Sequence, residues 1–148
     1  MSVLFDTSVL VPALVVAHPQ HSIAFPWLKM VHDGKLAAAV TSHALAETFA
    51  VLTTLPHRPR ISPEAALEVI RSSVIASFRV LALTSRDYDV TLRQLARASL
   101  SGGIVYDGLA ARAATKTKTK RVLTFNDRDF RRLAKVFPIE VTVPTATR

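Results

Sequence analysis

Short apolar runs alternate along this chain with longer stretches whose apolar residues recur at helical spacing. Val3 to Phe5 is a run of the first kind. The stretch "VLVPALVVA" and then "HSIAFPWLKMVHDG" follows as helical material, in which Pro12 suits a first turn, Pro26 marks a break or a helix start, and Gly34 supplies a stop. "KLAAAV" lies between Gly34 and the capping candidates Thr41 and Ser42, a position that favours a short buried strand. "SHALAETFAVLTTL" reads as a helix, and "RPRISPEAALEVIRSSVI" supplies another beginning near Pro63, with Glu64 in its first turn. "FRVLAL" is a further strand. "SRDYDVTLRQLARAS" is a helix capped by Ser85, with Tyr88, Leu92 and Leu95 on one side. "IVYDGLAARAAT" is helical despite Gly108, "RVLTF" is a strand, "DRDFRRLAKVF" a helix and "IEVTV" a closing strand.

This alternation predicts a single α/β domain over residues 1–148. It has three layers, with a mostly parallel central sheet and helices on both faces. In such a sheet the carboxyl ends of the strands form the edge where ligands bind. Asp6 and the turn from Thr124 to Asp129 therefore share one rim.

Composition narrows the chemistry. Cysteine is absent, which excludes disulfides and thiol catalysis and removes the ligands of finger-type zinc sites. The five histidines, His18, His21, His32, His43 and His57, show no metal-binding spacing and read as surface or boundary residues. No basic leader precedes an apolar segment, and no apolar run approaches membrane-spanning length, so no membrane association and a cytoplasmic location are expected. Nineteen Lys and Arg against eleven Asp and Glu give a formal charge of +8, which draws polyanions such as nucleic acid.

Acidic residues stand at four informative places. Asp6 ends the first strand and is followed by Thr7 and Ser8. All three residue types cap helices, but either hydroxyl would suffice, which frees the carboxylate to hold a hard cation. Glu47 is the lone formally charged residue between Ala37 and Leu55, and no capping box explains it. Buried, it needs a compensating cation; facing solvent, it needs none. Asp107 either caps a helix starting at Gly108 or occupies the first turn of one starting near Ile104. Asn126, Asp127 and Asp129 follow a strand, where capping accounts for one of the three.

These stretches, "LFDTSVL", "HALAETFAVLTTL", "IVYDGLAARAA" and "RVLTFNDRDFRRL", resemble the PIN-domain family, and most closely the VapC ribonuclease toxins of bacterial toxin–antitoxin pairs. The resemblance implies an endoribonuclease that uses Mg²⁺, or Mn²⁺, to hydrolyse RNA phosphodiester bonds. It transfers Asp6, Glu47 and Asp107 as catalytic and metal-site residues. At the fourth place the family carries Asn or Asp where Asn126 stands. Asn126 and Asp127 are the preferred choice to line the site, with Asp127 in a catalytic role and Asp129 second. Thr7, Ser8 and Thr124 would orient the carboxylates or water. Lys116, Lys118, Lys120, Arg121 and Arg128 are the candidates to guide the RNA backbone. By the same resemblance a small antitoxin protein and a homodimer are expected, and the apolar helices near Ala13–Val31 and Glu64–Ala76 could serve either contact.

Two other enzyme classes fit poorly. A haloacid-dehalogenase-like phosphatase requires an acidic residue two places after Asp6, where Ser8 stands, and a receiver domain requires an acidic pair near its first strand. The non-enzyme alternative is a PIN-like module with a degenerate acidic rim that binds RNA or a partner without cutting.

Overall fold

The computed structural model describes residues 2–56 and 58–146, so the expected surface position of His57 lies outside the described residues. Five strands, β1 (Ser2–Phe5), β2 (Ala37–Thr41), β3 (Arg79–Leu81), β4 (Arg121–Leu123) and β5 (Glu140–Thr142), form one sheet in the order β3-β2-β1-β4-β5. All four strand pairings are parallel. Seven α-helices connect them: α1 (Thr7–Leu14), α2 (His21–His32), α3 (Ser42–Thr54), α4 (Pro63–Ile70), α5 (Ser85–Arg97), α6 (Ile104–Thr115) and α7 (Asp127–Leu133).

The two-residue period of β1 sorts its side chains between two cores. Val3 and Phe5 pack with Val9, Leu28, Val40 and Phe78 on one face of the sheet. Leu4 packs with Val122, Phe130 and Phe137 on the other. A third cluster of Val11, Val15, Leu52 and Ile70 joins α1, α3 and α4. Because both faces are covered, the central strands β1 and β2 need no polar alternation, which is why they read as apolar runs.

Strand order reverses between β1 and β4. The connection leaving β1 leads to β2, and the one leaving β4 leads to β5 on the opposite side. The diverging connections open a crevice at the carboxyl ends of β1 and β4, the position where doubly wound sheets bind ligands.

Several local expectations are corrected. Thr84, not Ser85, caps α5: its hydroxyl accepts from the Asp87 amide while the Asp87 carboxylate accepts from the Thr84 amide. The buried stripe of α5 is consequently Asp87, Thr91 and Leu95, while Tyr88 and Leu92 are exposed. Pro12 and Pro26 sit inside α1 and α2 rather than at their starts. The helix expected after Pro63 ends in a π turn over Arg71–Ile75, where His32 Nε2 on α2 meets the Ser73 carbonyl at 2.9 Å. Gly34 ends α2 with a positive φ of 69°, as a left-handed stop should. No helix among the described residues is long and apolar enough to cross a membrane.

Candidate active site

Phe5 and Leu123 are register partners in β1 and β4, so the next residues, Asp6 and Thr124, emerge side by side at the crevice. Asp6 occupies the N-cap position of α1, yet its side chain makes no capping bond. Its Oδ2 instead accepts hydrogen bonds from Ser8 Oγ at 2.6 Å and Thr124 Oγ1 at 2.8 Å. Ser8 Oγ in turn accepts from the Phe125 amide at 3.0 Å, and Thr124 Oγ1 from the Asn126 amide at 2.9 Å. This network joins the β1–α1 turn to the β4–α7 turn. It explains the two hydroxyl residues after Asp6: Ser8 holds the carboxylate and the neighbouring turn at once.

Asn126 repeats the pattern at the start of α7, where it is the N-cap residue without a side-chain cap. Its Nδ2 donates to Asp107 Oδ2 at 2.8 Å and to Asp129 Oδ2 at 3.2 Å, bridging two carboxylates. Asp107 lies in the first turn of α6, the second of the two placements open to it. Gly108 beside it lets α6 approach α5, since a Cβ there would come within 3.2 Å of Leu95. Burial pushes the Asp107 carboxyl up to about 7, and the negative charges of Asp6, Asp129 and Glu47 push the same way against the Asn126 hydrogen bond.

Glu47 enters from α3, the helix capped by Thr41 through the Ala44 amide at 2.9 Å. Its Oε1 lies 2.6 Å from His43 Nε2, and the His43 ring is stacked on Tyr106. An open groove of about 480 Å³ runs past Asp6, Thr7, Ser8, Glu47, Asp107 and Asn126. Among the described residues no group of three or more His, Asp or Glu side chains closes to metal-binding geometry. Asp6, Glu47 and Asp107 line this one space without converging on a point, and Asp129 is joined to it through Asn126.

The remaining expected residues divide. Asp127 turns along α7 to Arg131, 2.5 Å away, whereas Asp129 faces Asn126 and acts on Asp107. The two aspartates point apart because adjacent side chains of a helix leave it in different directions. Arg128 is exposed on α7. Lys116, Lys118 and Lys120 precede β4, so they stand at the amino edge of the sheet, opposite Asp6; there Thr119 meets Ser2. Arg121 pairs with Glu140 at 2.9 Å. Lys116 and Arg112 both hold Asp87, which is 1% exposed. Burial pushes the Asp87 carboxyl up, but the bonds from Lys116, Thr84 and Arg112 outweigh it and hold the group well below the usual carboxylate range. Neither Asp87 nor Tyr106 stood out in the sequence; the spacing Thr84 to Asp87 is the capping-box signal that marks the former.

A doubly wound α/β domain with carboxylates from four elements gathered at its switch point defines the class of molecule. The chain belongs to the PIN domain family, which matches residues 3–136. Within that family it is homologous to VapC-type toxins. It is 38% identical over 115 residues to Ribonuclease VapC27 of Mycobacterium tuberculosis, covering 78% of each chain. It is 34% identical over 143 residues to Ribonuclease VapC40 of the same organism, covering 96% of this chain and 97% of the relative. The fold is similar to that of Mycobacterium tuberculosis VapC20, a sarcin-ricin loop cleaving toxin, with a TM-score of 0.67, 18% identity and coverage of 91% and 95% of the two chains. It is also similar to a chain of VapBC2 from Rickettsia felis bound to a promoter DNA fragment, with a TM-score of 0.65, 14% identity and coverage of 98% and 100%.

Proposed function

We propose that this chain is a divalent-metal-dependent endoribonuclease and the toxin of a toxin–antitoxin pair. The observation that carries the reading is Asp107 beside an open groove, its carboxyl raised first by burial and then by the negative charges of Asp6, Asp129 and Glu47. Such crowding of like charges is unfavourable in itself and is relieved by a cation. The donor set fits a hard ion: Asp6, Glu47, Asp107 and Asp129 offer carboxylate oxygens, and neither thiol nor converging imidazoles compete. These four would hold Mg²⁺ or Mn²⁺. When bound, the ion supplies Lewis acidity, favouring ionisation of a water nucleophile and offsetting charge on the phosphate and leaving oxygen.

The chain's own groups do the positioning. Ser8 and Thr124 satisfy one oxygen of Asp6 and fix its plane, leaving the other for a ligand. Asn126 keeps Asp107 and Asp129 on the groove side of their helices without adding negative charge. Thr7 lines the same groove. Asp127 lies outside the set in this reading, held by Arg131. Backbone guidance falls to cations of the carboxyl rim, Arg128, Arg131 and Arg132, more than to the lysines of the opposite edge. RNA as substrate is supported by kinship with two ribonucleases, VapC27 and VapC40, and by the shared fold of VapC20, which cleaves the sarcin-ricin loop.

An antitoxin partner and a homodimer belong to the same reading. Phe25 on α2, Leu67 on α4 and Ile75 on its π turn are exposed apolar residues suited to those contacts. One observation favours the rival binding module: the Asn126 amide already satisfies Asp107 and Asp129 without a metal. Cleavage of RNA by metal-stripped protein before and after Mg²⁺ is restored separates the two, since only the nuclease gains activity.

A further inference from the structure

Behind the acidic rim lies a second cavity, of about 130 Å³, at the carboxyl ends of β2 and β3. Its walls are apolar where Leu81, Leu83, Leu109 and Ala110 face it. His43 and Tyr106 also line it, their rings stacked on each other with centroids 5.7 Å apart and planes 3° from parallel. Tyr106 is 56% exposed, so its ring is accessible from solvent. The cavity adjoins the carboxylates. A small recess touching Asp6, Glu47 and Asp107 shares Thr41, His43, Tyr106 and Ala110 with it. The stack is also tied to the acidic residues directly, His43 through Glu47 and Tyr106 as the chain neighbour of Asp107.

We propose that this cavity is a nucleobase subsite, which takes one unpaired base of the RNA beside the phosphate at the carboxylates and stacks it on Tyr106. The inference rests on the ribonuclease reading above and adds to it a means of choosing where the strand is held. A base splayed from single-stranded RNA needs an aromatic face and an apolar slot with a polar mouth. Tyr106 supplies the face, the leucines the slot, and the Ser42 hydroxyl a polar group that also lines the cavity. A buried peptide side chain from a partner protein would fill the slot without needing the exposed ring face.

The test uses the Asp6→Asn chain, which keeps the cavity and should not cut, with a short single-stranded oligoribonucleotide carrying 2-aminopurine at successive positions and a terminal dye. Binding is read by dye anisotropy in Mg²⁺, and stacking by quenching of the 2-aminopurine. The expected result is quenching at one position, lost with about tenfold weaker binding when Tyr106→Ala is added, and kept with Tyr106→Phe. Equal anisotropy curves and equal fluorescence for Tyr106→Ala and its parent overturn the subsite while leaving the nuclease reading intact. Absence of binding by the parent, together with no metal-dependent cleavage by the unmutated chain, overturns both.

Discussion

The Thr124 hydroxyl donates to Asp6 Oδ2 over 2.8 Å and across 118 residues of chain, linking the two turns at the switch point of the sheet beside the Phe125 amide bond to Ser8 Oγ. Thr124 is fully buried and also accepts from the Asn126 amide, so with Ser8 it makes one site of two turns. Thr124→Val keeps the shape and removes the hydroxyl. The variant should lose about 1–3 kcal/mol of stability in urea titrations, the cost of unsatisfied partners beside a charged group. Its metal affinity or cleavage rate should fall by about 10- to 100-fold, as for other groups that orient a metal ligand. Unchanged metal affinity would show that Asp6 needs no such support.

Asp107 makes the stability of the metal-free chain depend on pH with a defined sign. Its folded-state value of about 7 exceeds the ordinary 3.8, so between those values the native state binds the proton and the unfolded chain does not. The Asp107 contribution therefore falls as pH rises from about 4 to about 7 and stays lost above it. Asp107→Asn removes that fall. In EDTA the variant should match the unmutated chain near pH 4 and exceed its urea midpoint at pH 8. Mg²⁺ should stabilise the unmutated chain at pH 8 more than the variant. Parallel curves for both proteins would remove the electrostatic argument for a cation.

The two aspartates of α7 should separate in function. Asp129 contacts Asn126, bears on Asp107 and meets Arg132 at 3.4 Å, whereas Asp127 pairs along the helix with Arg131. Asp129→Asn should lower metal-dependent cleavage by about 100-fold, within the range for loss of a group acting in the chemical step. Asp127→Asn should stay within a few-fold of the unmutated rate. The reverse ranking in a side-by-side initial-rate assay would restore Asp127 to the site.

Asp87 should matter to the fold and not to the chemistry. It is buried between α5 and α6, satisfied by Thr84, Arg112 and Lys116. Asp87→Asn leaves two partly exposed cations facing a neutral amide, and should cost about 2–3 kcal/mol, less than the ~3–5 kcal/mol of a fully buried pair. Because its folded-state value is depressed, this stability is present above the ordinary carboxylate range and disappears as pH falls below it. Thermal melts at pH 7 and in strong acid check both halves: the variant should be weaker at pH 7 and approach the unmutated chain as acid protonates Asp87.

How much of this was legible depended on the range of the interaction. β1 and β2 were readable because burial on both faces leaves apolar runs, and Asp6, Glu47 and Asp107 stood out as candidates because each is a charge that no capping role requires. Ser85 was read as the α5 cap because it begins the polar run, but the reciprocal bonds of Thr84 and Asp87 decide the boundary. The lysines before β4 looked like a binding surface, yet chain direction puts them on the edge opposite Asp6. The pairing of His43 with Tyr106 joins residues far apart in the sequence, and no local pattern announces a contact of that kind.

The central claim is that the crowded carboxylates make a metal-dependent ribonuclease. The most direct measurement incubates the metal-stripped chain with total cellular RNA, restores Mg²⁺ or Mn²⁺, and maps new 5′ ends beside an Asp6→Asn control. Discrete ends that need the metal and vanish in the control are expected. Folded, partner-free protein that yields no such ends in either metal, or ends that persist in Asp6→Asn, would contradict that claim.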